Sequence, residues 1–195
     1  SMIFGATQST YVAVIANASL SPLLLFGVVL TLAGLLFKLA AFPVHAWAPD
    51  TYEGAPHEGA AFLGTASKVA AVAVILRVLS LAGPDAEQLQ ILLLVICVAS
   101  MTLGNLAALR QKDFKRLLGF SAVAHAGYLL VGFVAHSELG AAAAIFYVLT
   151  YVPIVMCAFI VISAISKNGE NPSIAALADG FLIRGGPLGK RRPAA

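Results

Sequence analysis

The sequence predicts an all-α integral membrane protein with about five transmembrane helices, and three observations carry that reading. Of the 195 residues, 60 % are hydrophobic and only 11 % are charged, too few polar groups to cover a water-soluble globule. Apolar runs at 22–42, 59–79, 89–109, 117–135 and 140–165 each reach the roughly 20 residues that a helix rising about 1.5 Å per residue needs to cross the hydrocarbon core. The runs are apolar all round, without the short alternating segments of an outer-membrane barrel.

Residues 1–21 read as an outer-side loop or short helix. They are not a secretory signal, because no basic segment precedes the apolar stretch and no clear cleavage pattern follows it. The membrane domain then occupies 22–165. Its first run holds Lys38, and Pro43 comes five residues later, where the ring disrupts the helix and frees the carbonyl of Leu39. A lysine beside such a break is poised for proton transfer, since unpaired backbone groups and water at the break can solvate a proton. The helix is expected to continue through His45 and Trp47, carrying Lys38 away from the headgroups and onto a bundle-facing side. Trp47, Pro49, Asp50 and Tyr52 read as an interfacial turn, with Asp50 capping the next segment. His57 and Glu58 open the next helix, where Glu58 suits the positive helix end, and a simple dipole interaction is expected ahead of a proton-loading role.

Lys68 lies near the midpoint of the second run. An ammonium at the bilayer centre costs from about 3 to more than 10 kcal/mol, so this side chain is expected to face the protein interior and to move charge. In the fourth run His125 lies near mid-depth, with Ser121 at i−4 and Tyr128 at i+3 on the same face. A hydroxyl, an imidazole and a phenol on one stripe suit proton passage or water ordering. Cys97 and Cys157 fall inside spans with no metal or redox spacing and read as small hydrophobes.

The net charge of +3 marks topology and does not call for a nucleic-acid partner. Arg110, Lys112, Lys115 and Arg116 cluster between the third and fourth runs. Lys167, Arg184, Lys190, Arg191 and Arg192 follow the fifth, in a basic tail over 166–195. Both sites are expected in the cytoplasm, which places the N-terminus outside and the C-terminus in the cytoplasm. The opposite connections carry Asp85, Glu87, His136 and Glu138 without Lys or Arg, and Arg77 near that end can snorkel outward.

The segments FKLAAFPVHAWAPDTYEGAP, FLGTASKVAAVAVILRVL and LGNLAALRQKDFKRLLGFSAVAHAGYLLVG, in that order, closely resemble subunit N of respiratory complex I, the proton-pumping NADH:quinone oxidoreductase. The likeness runs from about residue 5 to about 179. The TASK sequence favours subunit N over its two larger antiporter-like relatives.

The resemblance implies two inverted five-helix repeats, each with a broken helix, of which this chain is a central fragment. Lys38 would be the broken-helix lysine, Lys68 the connecting lysine, and His125 a link toward the second repeat, supported by Pro43, Ser121 and Tyr128. It also implies other membrane subunits as partners, a bacterial cytoplasmic membrane as the location, and flavin and iron–sulfur clusters on partner subunits. No cofactor is expected on this chain, and no direct NADH binding, since it has neither a cysteine cluster nor a glycine-rich strand-to-helix turn.

Three departures from the family pattern stand out. His57-Glu58-Gly59 replaces a Pro-containing helix start, Val155 in the PIVMC stretch falls where the family often has Asn, and the sequence after about 180 is not family-like. The alternatives are a truncated, non-pumping membrane fragment and a subunit of a multi-component sodium/proton antiporter.

Overall fold

The computed structural model describes residues 2–11, 14–15, 17–18, 21–79, 87–135, 137–166 and 171–175. Asp85, His136, Lys167 and the basic part of the tail (Arg184 and residues 190–192) lie outside the described residues. The described chain forms helices α1 (Met2–Thr7), α2 (Pro22–Leu39), α3 (Trp47–Gly54), α4 (His57–Leu79), α5 (Glu87–Ala108), α6 (Phe114–Val134) and α7 (Glu138–Ile165). Helices α2 and α4 to α7 are long and apolar enough to span a bilayer.

Helices α4 to α7 begin two or three residues before the apolar runs do, because the first turn is fixed by capping and not by hydropathy. Asp113 accepts the Arg116 N–H at 2.8 Å to start α6, and Ser137 accepts the Gly140 N–H at 3.0 Å to start α7. At α2, Ser21 accepts the Leu24 N–H at 3.2 Å, and Pro22 fills the first turn, where its missing N–H costs nothing.

The expected break is present, three residues earlier than the apolar run suggested. Helix α2 ends at Leu39, and Ala40 adopts the left-handed conformation with φ 62° and ψ 38°. The Ala40 N–H bonds the Phe37 carbonyl at 3.0 Å and the Ala41 N–H bonds the Leu36 carbonyl at 2.9 Å. This is a Schellman closure, with Leu36 and Ala41 sharing the core contact that normally accompanies it. Alanine is an uncommon choice there, since its Cβ costs about 1–2 kcal/mol in that region. The chain then passes through Pro43, and the freed Phe42 N–H finds the buried Ser100 hydroxyl of α5 at 2.9 Å.

Beyond the break the chain re-forms a helix, and two expectations change. Trp47, Pro49, Asp50 and Tyr52 belong to α3 and not to an interfacial turn, and Pro49 and Tyr52 are buried. Asp50 caps nothing. Its carboxylate pairs with the Arg116 guanidinium at 2.6 Å, and Glu53 takes the same nitrogen at 2.6 Å, so the charges lock α3 onto α6. Close approach makes the docking possible, because a Cβ on Gly119 would stand 2.6 Å from Pro49 Cα.

Helix α6 occupies the centre, against α3, α5 and α7 and touching α4. Its contact with α5 uses the same device. A Cβ on Gly104 would meet the Ala124 backbone nitrogen at 2.5 Å, and the buried Cys97 thiol donates to the Gly127 carbonyl at 3.2 Å. Leu36, Leu39, Val72, Ile75, Leu129 and Leu130 form one core between α2, α4 and α6. Tyr52, Ala60, Ala122, Tyr151 and Phe159 form a second between α3, α4, α6 and α7.

Candidate functional site

Lys68 sits where these two cores meet. Alanines and a glycine at 60, 61, 64 and 71 leave room for the small-residue face of α4 to press against its neighbours, and Lys68 is 1 % exposed. Its Nζ donates to the Ala122 carbonyl of α6 at 2.6 Å and lies 5.1 Å from the centre of the Tyr151 ring of α7. A carbonyl dipole and a negative ring face solvate the ammonium, and no ion pair joins it to a carboxylate among the described residues.

The Tyr151 ring carries the site on to His125, whose centroid is 4.9 Å away. His125 Nδ1 is hydrogen-bonded to the Tyr147 hydroxyl at 2.5 Å, and the Tyr128 ring stands edge-on to the imidazole at 5.7 Å. Tyr128 in turn accepts a hydrogen bond from Asn105 of α5 at 3.0 Å. Ser121 and His125 line a cavity of about 60 Å³ together with Tyr52 and Tyr151, large enough for water. Lys68, Tyr151, His125 and Ser121 are therefore gathered into one polar seam inside the bundle, and Tyr128 stands at its exposed edge.

Tyr147 and Tyr151 were not singled out from the sequence. They lie in a run of uniform hydropathy, and the only available signal was the i, i+4 spacing of two phenols on one helix face. Val155, one turn beyond Tyr151, is buried and lines the same cavity with an apolar side chain. Pro153 lies within α7, which runs unbroken past it.

Lys38 departs from expectation. It is exposed in this chain and does not face the bundle. Leu32, Leu36 and Leu39, spaced four and three apart, take the buried stripe of α2, and Lys38 falls off it. Its depth, however, is that of the seam. Ala40 packs in one cluster with Ala48 and Val123, next to the Ala122 carbonyl that receives Lys68. Pro43 acts through the backbone, by ending α2 beneath Lys38.

The sequence pattern of the NADH:quinone oxidoreductase/Mrp antiporter membrane family matches residues 1–185. NADH-quinone oxidoreductase subunit N 2 of Opitutus terrae is 47 % identical over 180 residues, covering 90 % of this chain and 38 % of that protein. Subunit N of Halorhodospira halophila is 48 % identical over 183 residues, covering 91 % of this chain and 38 % of that protein. The chain thus spans about two fifths of the length of these relatives. Among solved structures, a chain of respiratory complex I from Thermus thermophilus superimposes with a TM-score of 0.77 at 38 % identity, covering 96 % of this chain and 40 % of that one. A chain of the Mrp complex from Dietzia sp. gives a TM-score of 0.81 at 25 % identity, covering 88 % and 32 %. Sequence pattern and helix arrangement agree, and the chain belongs to the NADH:quinone oxidoreductase/Mrp antiporter family of membrane proteins.

Proposed function

We propose that this chain is the central membrane portion of a proton-translocating subunit of an NADH:quinone oxidoreductase, with Lys68 and His125 as relay groups. The observation that supports it is the buried Lys68 amine held by a carbonyl. An amine keeps N–H donors whether or not it carries the extra proton, so the bond to Ala122 persists through proton loss, and Tyr151, which lies between the amine and His125, borders with His125 a cavity of water size through which a proton can pass on. Lys38 lies at the same depth on an exposed face and exchanges protons with groups outside this chain.

Electron transfer belongs to partner subunits that carry flavin and iron–sulfur clusters, and this chain binds neither these nor NADH. Its partners are the other membrane subunits of the complex. The chain lies in a bacterial cytoplasmic membrane with the loop of Arg110 and Arg116 in the cytoplasm and the N-terminus outside. Cysteine substitution at Gln111 and at Ser137, followed by labelling with an impermeant thiol reagent, tests this orientation. Position 137 is expected to react from the outer face and position 111 only from the cytoplasmic face, and the reverse pattern overturns it.

A second reading, a subunit of a multi-component sodium/proton antiporter, is favoured by the TM-score of 0.81 to the Mrp chain. Identities of 47–48 % to subunit N proteins against 25 % for that chain favour the first. Proton transport by assembled complexes carrying Lys68→Ala tests the relay: it is expected to fall, and normal transport overturns the role of Lys68.

A further inference from the structure

His57 opens α4 at the basic-loop end of the bundle, 11 positions before Lys68. It is only 9 % exposed, yet neither ring nitrogen has a hydrogen-bond partner among the described residues. A buried polar atom left unsatisfied forfeits its hydration with nothing in return, which is a strong bias toward water at those nitrogens. The surroundings supply the space. His57 lines a polar cavity of about 680 Å³ bounded by Glu53 of α3, Glu58 of its own helix, Lys115 of α6, Ser163 of α7 and Asn171. It also lines a second, largely apolar cavity of about 520 Å³ that extends along α4 and α7 past Ala61 to Met156, with the Thr65 hydroxyl among its few polar groups.

His57, Ala61, Thr65 and Lys68 recur at i, i+4, i+8 and i+11 and so share one face of α4. Thr65 stands one turn before Lys68, with its hydroxyl on the Ala61 carbonyl at 2.7 Å. Lys115 is engaged elsewhere, donating to the Ala55 carbonyl at 2.7 Å, and leaves the imidazole as the buried titratable group common to both cavities. A neutral imidazole has one accepting and one donating nitrogen. It can bind a proton from water at the first and release the other N–H proton to water on the far side, with no change in electron count.

We propose that His57 is a proton-uptake residue, loading protons from the polar cavity and passing them along the Thr65 face of α4 toward Lys68. This rests on the relay reading of Lys68 above. A role in helix-dipole electrostatics alone would fall to Glu58, which is exposed in the same turn.

The test uses the complete subunit in its assembled complex, in inverted membrane vesicles, reading proton uptake per NADH oxidised. His57→Ala is expected to lower that ratio by roughly twofold or more, and free imidazole in the medium to restore it. His57→Gln, which keeps hydrogen bonding but cannot carry a proton, is expected to stay low, and it decides the matter if the alanine variant does not assemble. A normal ratio in His57→Gln overturns the proposal, as does a His57→Ala defect that imidazole leaves unchanged. Lys68→Ala, measured alongside, separates the two failures. A defective Lys68→Ala with a normal His57→Gln overturns the role of His57 alone, whereas a normal Lys68→Ala overturns the relay reading itself.

Discussion

The Lys68 amine on α4 reaches across the bundle to the Ala122 carbonyl on α6 at 2.6 Å, three residues before His125 on the same helix. That bond fixes which way the lysine points, away from lipid and into the seam of phenols on α7. The Lys68 amine, the Tyr151 ring, the His125 imidazole and the Tyr147 hydroxyl then follow in contact, each from a different helix than the one before.

Tyr147→Phe removes the hydroxyl from His125 Nδ1 and leaves that nitrogen without its partner. Loss of one partner of a half-buried bond costs about 1–3 kcal/mol. Thermal unfolding of the purified complex should register the loss, and proton transport should fall with assembly intact. Unchanged stability and transport would show that the imidazole does not depend on this contact.

Gly64 leaves room for the Tyr52 hydroxyl, since a Cβ there would stand 2.8 Å from the oxygen and 3.4 Å from the ring carbon that bears it. Gly64→Ala should therefore destabilise by about 1–3 kcal/mol through overpacking. Adding Tyr52→Phe removes the clashing atom and should recover most of that loss. A double variant no more stable than Gly64→Ala would mean that another contact, such as Val155 at 3.3 Å, sets the limit.

Arg116 holds both Asp50 and Glu53, and with it the short helix beyond the break. The guanidinium is about a third exposed, at 36 %, so Arg116→Gln should cost about 1 kcal/mol or less overall. Its local effect should be larger. Amide exchange over 47–54 should quicken in the variant at low salt, and high salt should narrow the difference from the parent. Equal exchange at low salt would assign the docking of α3 to Gly119 and Lys115 instead.

What the sequence made legible is what single residues dictate locally. Pro43 near the end of an apolar run frees a backbone carbonyl and favours a break there, and a lysine amid twenty apolar residues has to be buried or lost to the headgroups, so the break and the burial of Lys68 were both readable. The partners were not. Tyr147 and Tyr151 become site residues only because α7 packs against α4 and α6, and nothing in a uniformly apolar run announces that. Arg116 read as a topological charge because its carboxylates lie more than sixty residues away in sequence. The facing of Lys38 was not legible for a similar reason. The stripe of Leu32, Leu36 and Leu39 decides which face of α2 is covered within this chain, and the polar pattern alone does not reveal it.

The central claim is that Lys68 gains and loses a proton during transport, and Lys68→Ala with Lys68→Arg tests it most directly. Arginine keeps its charge and cannot release the proton, so both variants should fail for different reasons. In the complete subunit within an assembled complex, proton uptake into inverted vesicles is measured together with NADH oxidation. The account predicts lowered proton uptake and lowered coupled quinone reduction in both variants, with normal amounts of assembled complex. Normal pumping by a fully assembled Lys68→Ala complex would contradict it and make Lys68 a structural charge.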